Sequence, residues 1–191
     1  MSFKDIAKLV GIYAVLFIFG TVLYIACFHT PVLAFMDVFF YRGIALIVLW
    51  GVIISAIMFI LKKKVFTKLI TVRDIILLFM AFCCINVVIF THLPVTADRS
   101  ITVFMLGYMT DNENESFTEE EIEEYFVDRY VYDYGAFEKR FEEQVVTGTI
   151  EDTGDGYRIT DSGKGLMKIY EVVADWYNLD DHLIHSTEEG N

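Results

Sequence analysis

Three long apolar stretches occupy the first half of the chain. Residues 9–28 contain no charged side chain, and residues 43–61 and 75–92 repeat that pattern. At a rise of about 1.5 Å per residue, helices of this length match a hydrocarbon core about 30 Å thick. The pattern predicts three transmembrane helices at 9–28, 43–61 and 75–92, which form a membrane domain over residues 1–92.

The second half changes to the mixed polar and apolar spacing of a small soluble domain. The apolar stretch at 101–109 is too short to cross a membrane, so residues 93–115 are predicted to be an interfacial or partner-facing linker. Residues 116–180 are predicted to form an acidic winged-helix-like domain, followed by a flexible tail at 181–191. The predicted fold class is therefore mainly α, with three transmembrane helices followed by a small α+β domain.

Local signals divide the acidic domain into helix, helix, hairpin and helix. Ser116 with Glu119, and Thr118 with Glu121, both have the spacing of a capping box at the first helix. The second helix is predicted over about 136–146 and ends before Gly148, the hairpin spans 150–159, and the third helix covers about 162–177. The apolar side of the third helix is expected to be buried and consists of Leu166, Ile169, Tyr170, Val173 and Trp176.

The charge of the chain changes sign near residue 92. Residues 1–92 carry eight Lys/Arg and three Asp/Glu, whereas residues 93–191 carry seven Lys/Arg and twenty-four Asp/Glu, for net charges of +5 and −17. This division excludes a simple soluble globule and a disordered acidic chain. A disulfide-stapled secreted module is also excluded, because all three cysteines lie in the predicted spans: Cys27, Cys83 and Cys84.

The basic residues predict the orientation of the spans. Short loops rich in Lys and Arg stay in the cytoplasm, so the N-terminus and the loop between the second and third spans are assigned to the inside. The third span then delivers the acidic domain to the outside of a bacterial inner (plasma) membrane. We interpret the first span as a retained helix, because its apolar run is longer than that of a cleaved signal. The basic loop contains Lys62, Lys63, Lys64, Lys68 and Arg73.

Six polar residues are candidates for chemistry or lipid contact near the exterior boundary. A histidine, a carboxylate and a serine together suggest a hydrolase, but the Gly-x-Ser-x-Gly nucleophile elbow is missing from the sequence. The simpler interpretation is that Asp98 and Arg99 cap and anchor the exit of the third span. A separate hypothesis is that Arg99 binds an anionic lipid-linked group. Charges at the start of the second span are expected to pair with one another or with a partner. The six candidates are His92, Asp98, Arg99, Ser100, Asp37 and Arg42.

The acidic domain offers few other sites. The acidic run 119–124 lacks the Asp-x-Asp-x-Asp-Gly pattern of a calcium loop, and His182 and His185 lie in the polar tail. Neither a metal site, a cofactor site nor a catalytic residue is predicted. Tyr132 and Tyr134 fit the core pattern least, and they are predicted to be exposed aromatic contacts.

Two resemblances add to this interpretation. Residues 118–179 resemble the winged helix-turn-helix superfamily, through Gly148, the hairpin and the Thr160-x-x-Gly163 step. Many winged helices bind DNA, but the acidic charge here would repel phosphate, so nucleic acid is not an expected partner. The whole layout is similar to small three-span membrane proteins of bacterial surface-polysaccharide loci, and this likeness is carried by Pro94, Val95, Thr96, Asp98, Arg99 and Ser100.

The sequence therefore predicts a non-catalytic accessory or scaffold subunit of a bacterial membrane complex. Its expected partners are the lipid bilayer and a polytopic membrane protein, such as an enzyme of surface-glycan or lipid-linked sugar metabolism, with an anionic or glycan lipid as a further ligand. Gly11, Gly20 and Gly51 are expected to let the spans pack against other spans. Two alternatives stay open: a membrane enzyme that uses His92, Asp98, Arg99 and Ser100, and a membrane-tethered winged-helix regulator.

Overall fold

The computed structural model of the chain describes residues 2–178, so the predicted tail at 181–191 lies outside the described residues. The chain divides into two compact units, residues 1–113 and the part from residue 114 onward. We call them the membrane unit and the acidic unit. In the described residues the fold is mainly helical and includes one small sheet of two strands.

Three helices in the membrane unit are long and apolar enough to cross a membrane, as the sequence predicts. They are α1 (Phe3–Ala26), α2 (Phe39–Lys64) and α3 (Val72–His92). Each is longer than its uncharged run, because charged residues occupy the terminal turns where they can reach the polar boundary of a bilayer. The charges at the ends of these helices are Lys4, Asp5, Lys8, Lys62, Lys63, Lys64, Arg73 and Asp74.

Asp74, whose carboxylate is buried, lies in the first turn of α3. Asp74 forms a capping box with Thr71, in which the Asp74 carboxylate accepts from the Thr71 backbone N–H at 2.7 Å and from the Thr71 hydroxyl at 2.6 Å. The hydroxyl of Tyr13 on α1 also donates to the Asp74 carbonyl at 2.6 Å. These bonds fix the first turn of α3 and tie it to α1.

Small residues hold the three helices close together. A Cβ atom added at Gly20 would lie 2.8 Å from the side chain of Ile54, and one at Gly51 would lie 3.0 Å from the Cys83 sulfur. The helices of this chain therefore cover both Gly20 and Gly51. The prediction that these two glycines pack against the spans of a partner is wrong. Gly11 has nothing within 4 Å and stays available.

The predicted linker contains two more helices. Helix α4 (Pro94–Arg99) begins directly after α3, with Pro94 at a position where a helix needs no backbone N–H donor. Helix α5 (Ile101–Asp111) has eleven residues, none of them buried, and its length of about 16 Å is too short to cross a bilayer. The segment is thus a pair of short helices rather than an extended connection.

The acidic unit begins with a helix that changes its hydrogen-bond pattern halfway. Helix α6 (Glu119–Tyr125) is capped by the Thr118–Glu121 box, which is one of the two predicted boxes. It continues as a π-helical segment over Phe126–Asp133, where the sequence predicts ordinary helical spacing. The rings of Phe126 and Tyr130 stack there with centroids 5.1 Å apart. Such π-helical turns are rare and often accompany functional sites.

The remaining elements follow the predicted order closely. They are α7 (Ala136–Val146), β1 (Ile150–Asp152), β2 (Tyr157–Ile159) and α8 (Asp161–Tyr177). The strands are antiparallel, with Ile150 opposite Ile159. After α7 the chain turns at Gly148, whose φ of +72° suits glycine best.

Thr160 connects the hairpin to α8. Its hydroxyl donates to the Gly148 carbonyl at 2.6 Å and accepts from the Gly163 backbone N–H at 3.1 Å. A Cβ atom at Gly163 would lie 2.2 Å from the Thr149 carbonyl oxygen, so only glycine allows this approach. The Thr160-x-x-Gly163 step therefore fixes the start of α8 against the hairpin.

The predicted burial of the apolar side of α8 is wrong for Leu166, Ile169, Tyr170 and Trp176, which are exposed, whereas Val173 is half-buried. In the described part of the acidic unit, the buried positions of α8 are Gly163 and Ala174, and the larger apolar side chains lie outside this narrow contact. The apolar side of α8 is wider than the part of it that the rest of the acidic unit covers. The exposed members of this apolar side are Leu166, Ile169, Tyr170, Val172, Trp176 and Tyr177.

Candidate functional site

An aromatic cluster closes one end of the three-helix bundle, where the loop joins α1 to α2. We call this the aromatic end and the opposite end the lysine end. Phe90 of α3 is buried at its centre, with ring centroids 5.3 Å from Phe39 and 5.9 Å from Phe28. A Cβ at Gly43 would lie 2.0 Å from the Phe90 ring, so α2 must present a glycine there. The cluster consists of Tyr24, Phe28, Phe39, Phe40 and Phe90.

Arg42 organises the loop beside this cluster. Its guanidinium donates to the carbonyls of Thr30 at 2.8 Å and Val32 at 3.0 Å, and it lies 5.6 Å from the centre of the Phe28 ring. Asp37, which the sequence suggests as an ion-pair partner, is exposed, and no ion pair joins it to Arg42 within the described chain. Arg42 therefore satisfies backbone carbonyls after α1 rather than a carboxylate.

His92 and Ser100 hydrogen-bond within their own helices. The Nδ1 atom of His92 lies 2.9 Å from the Val88 carbonyl oxygen, and the Ser100 hydroxyl accepts from the Val103 backbone N–H at 3.2 Å as the N-cap of α5. Across residues 2–178, no hydrogen bond joins His92 to Ser100. In the described chain the Ser100 hydroxyl therefore serves as a helix cap, without the hydrogen bond to His92 that would activate it as a nucleophile.

Asp98 and Arg99 lie side by side at the end of α4. The Arg99 Nε atom is 3.9 Å from the Asp98 carboxylate, and both side chains are partly exposed. At that distance and exposure the pair contributes little to stability. Their position after α3 fits the predicted anchoring of the third span, and lipid binding by Arg99 stays a prediction.

A cavity of about 310 Å³ lies beside the aromatic cluster, between α1 and α3. Ligand sites commonly begin at about this size and are mostly apolar with a few placed polar groups. Ile25 and Ile89 form an exposed side wall that faces the surroundings of the bundle, and His29 and Pro94 lie at the rim. The remaining lining residues are Thr21, Tyr24, Phe28, Phe39, Asn86 and Phe90.

Two polar groups deep in the cavity pair with each other. The Thr21 hydroxyl donates to the Asn86 side-chain oxygen at 3.2 Å, and the Asn86 amide donates to the Phe82 carbonyl at 2.9 Å. Asn86 is only 1% exposed. Burying an amide inside an apolar bundle is costly unless the amide is hydrogen-bonded. The Thr21–Asn86 bond satisfies the amide oxygen and also links α1 to α3 at the floor of the cavity.

The acidic unit contains a cluster around Arg129 in the π-helical segment. Arg129 pairs with Asp133 one turn later, and its guanidinium carbon lies 5.7 Å from the centre of the Tyr134 ring. The Arg129 guanidinium donates hydrogen bonds to the Asp133 carboxylate and to Tyr125, and these bonds raise its pKa. Tyr132 and Tyr134 are both exposed, and their role as aromatic contacts stays a prediction.

Within residues 2–178, no group of three or more His, Cys, Asp or Glu side chains is arranged to hold a metal ion. His182 and His185 lie outside the described residues. The acidic run at 119–124 forms the solvated part of α6 and the capping box described above.

Sequence reasoning missed the cavity and the exposed side of α8. One signal was available for the cavity: Asn86 is the only amide side chain in the three spans, and an isolated polar group there often marks a site. The π-helical segment gave no comparable signal, because its apolar spacing also fits an α-helix.

Comparison with known proteins gives no further guide to these features. No family model, no curated protein and no solved structure matches this chain.

Proposed function

We propose that the protein is a non-catalytic accessory subunit of a bacterial membrane complex. Its acidic unit docks onto a basic segment, rich in apolar side chains, of a larger polytopic membrane protein. The exposed apolar side of α8 carries this proposal. The resemblance to proteins of surface-polysaccharide loci suggests that the partner is an enzyme acting on lipid-linked sugars.

The exposed side of α8 has the spacing of a docking helix. Ile169, Val172 and Trp176 follow one another at i, i+3 and i+7, so they lie along one line of the helix. Ile169 is 61% exposed and Trp176 is 78% exposed. Contiguous apolar patches rarely face water in monomeric soluble domains, and Trp is among the commonest anchors of protein interfaces.

Charge favours a basic partner. Residues 114–178 contain six Lys/Arg and seventeen Asp/Glu, a net charge of −11. A field of this size attracts basic segments and repels nucleic acid and anionic lipid headgroups. In this proposal the apolar line on α8 supplies the affinity for the partner. The surrounding acidic residues make binding specific for a basic segment and speed up association with it.

The residues at the aromatic end support anchoring more than catalysis. Ser100 caps α5, His92 bonds to a carbonyl of its own helix, and Arg42 binds loop carbonyls. Each of these side chains thereby hydrogen-bonds to a backbone group near the predicted membrane boundary. These contacts favour the accessory role over the alternative of an enzyme built on His92, Asp98 and Ser100.

We place the lysine end in the cytoplasm and the acidic unit outside. The helices α1 to α3 alternate in direction, so the loop at 65–71 and the N-terminus share one end of the bundle. The three lysines that end α2 and the nearby Lys68 make this the basic end, which the positive-inside rule assigns to the cytoplasm. The exit of α3 then lies on the exterior side.

A winged-helix arrangement is our proposal for the acidic unit. Its order of helix, helix, hairpin and helix supports it, as do the turn at Gly148 and the Thr160 cap of α8. DNA binding is disfavoured, because the cations that such a fold would present are paired within the unit. Arg140 bonds Glu143 at 2.7 Å, and Arg158 bonds Glu151 at 2.6 Å across the hairpin.

Affinity purification of the full chain from native membranes tests the docking role. We expect a basic polytopic membrane protein to co-purify, and Trp176→Ala to weaken its binding about thirtyfold, which equals the ~2 kcal/mol of a typical hot spot. Val146→Ser is the matched control, since Val146 is an apolar residue that is 63% exposed at the end of a different helix, α7. Purification of the chain without a partner would count against the proposal. So would equal amounts of partner co-purifying with Trp176→Ala and with Val146→Ser.

A further inference from the structure

The cavity at the aromatic end has a polar group that the rest of the fold does not use. Tyr24 lines the cavity and is only 4% exposed, yet its hydroxyl makes no hydrogen bond within the described chain. No fully enclosed polar side-chain atom among those residues lacks a partner. The Tyr24 hydroxyl must therefore reach space that a small group can enter, and the cavity provides that space.

The positions of the polar groups along the helices indicate which parts of a ligand can be polar. Tyr24 lies two residues before the end of α1, about 3 Å along the helix axis from its last residue. Thr21 and Asn86 lie further into the span and hydrogen-bond within the protein, so their bonded polar atoms do not call for a polar group of the ligand there. A fitting ligand thus has a hydrocarbon part in the deep region and one hydrogen-bond acceptor near the boundary.

The size and the opening of the cavity favour a single chain. A volume of about 310 Å³ holds about ten groups the size of a water molecule or a methylene, at roughly 30 Å³ each. The wall formed by Ile25 and Ile89 is exposed toward the surroundings of the helices, where hydrocarbon chains are the solvent. A chain can therefore enter sideways without passing through water.

We propose that this cavity binds one acyl chain of a membrane glycerophospholipid, whose ester carbonyl accepts a hydrogen bond from the Tyr24 hydroxyl. The chain lies against Phe90 and the Thr21–Asn86 pair, and the headgroup leaves past His29 at the rim. His29 is exposed, and within residues 2–178 its side chain makes no hydrogen bond or ion pair that would block this exit. This site does not depend on the docking of the acidic unit.

Photolabelling of the full chain in vesicles tests the site. The probe is phosphatidylglycerol with a diazirine in the middle of one acyl chain, and labelled residues are mapped by mass spectrometry. We expect saturable labelling of the cavity walls on α1 and α3. Ile89→Trp fills the cavity and should lower labelling at least fivefold, whereas Ile85→Trp, at a similarly exposed position of α3 outside the cavity, should not.

Two further arms identify the contact and the lipid. Tyr24→Phe should weaken probe binding about fivefold, the effect of one uncharged hydrogen bond. Unlabelled phosphatidylglycerol should displace the probe better than a polyprenyl phosphate does. Labelling that rises linearly with probe, or equal labelling of the two Trp variants, would mean ordinary bilayer lipid and overturn the site. An unaffected Tyr24→Phe would overturn the hydrogen bond, and stronger displacement by the polyprenyl phosphate would overturn the acyl chain.

Discussion

In the membrane unit, Leu46, Ile54 and Phe82 are completely shielded by neighbouring helices, whereas in the described part of the acidic unit Ala174 has the only buried apolar side chain. Both units also expose many large apolar side chains. On α1, α2 and α3 such side chains meet lipid, where exposure costs nothing. On the acidic unit they would meet water, at about 25 cal/mol for each Å² left uncovered.

The difference separates a unit that covers its own apolar core from a unit that leaves much of its apolar surface uncovered. The membrane unit closes its own core through glycine contacts and the aromatic cluster. The acidic unit is held instead by local hydrogen bonds, such as those of Thr118 and Thr160, and its widest apolar side stays open. This imbalance is the physical basis for our proposal that α8 docks onto a partner.

The largest expected effect is a substitution in the shielded core. Gly43→Leu would drive a side chain into the Phe90 ring, since even a Cβ would lie 2.0 Å from it. We expect a loss of about 3 kcal/mol or more in the free energy of unfolding of the bundle. Denaturation in detergent, followed by circular dichroism, measures it.

Gly11→Ala is the control for that substitution, because nothing lies within 4 Å of Gly11. It should leave the stability of the bundle unchanged or raise it slightly, since alanine favours a helix. Equal stability of Gly43→Leu and the parent chain would mean that α2 and α3 do not pack as closely as described.

A smaller effect is expected where the acidic unit depends on a cap. Thr160→Ala removes the hydroxyl that bonds both Gly148 and Gly163, and should destabilise α8 by about 1–2 kcal/mol. Hydrogen exchange of the α8 backbone in the full chain measures this loss. Thr160→Ser keeps the hydroxyl and should retain most of the protection. Equal exchange in all three chains would show that the cap is dispensable.

Much of the fold could be predicted from residue patterns. The three spans, the bounds of α7 and the hairpin from Ile150 to Ile159 all follow from apolar spacing and turn residues. Spacing identifies the apolar side of a helix, but not how much surface is available to cover it. For this reason the exposure of Ile169 and Trp176 was not foreseen.

The candidate site was predictable only in part. The sequence marks Arg42, His92 and Ser100 as polar groups near a boundary, but their acceptors are backbone atoms that only the fold brings close. The cavity depends on how the rings of Tyr24 and Phe90 sit between three helices. No linear spacing encodes such an arrangement.

The most direct test combines the position of the acidic unit with the covering of α8. Single cysteines replace Ile169 on α8 and Asp155 in the exposed hairpin turn, in a chain whose three native cysteines are changed to alanine. A membrane-impermeant maleimide is then added to intact cells. We expect Asp155→Cys to react from outside, and Ile169→Cys to react only after purification removes the partner. Equal labelling of both in intact cells would contradict docking through α8, and labelling of neither until lysis would contradict an exterior acidic unit.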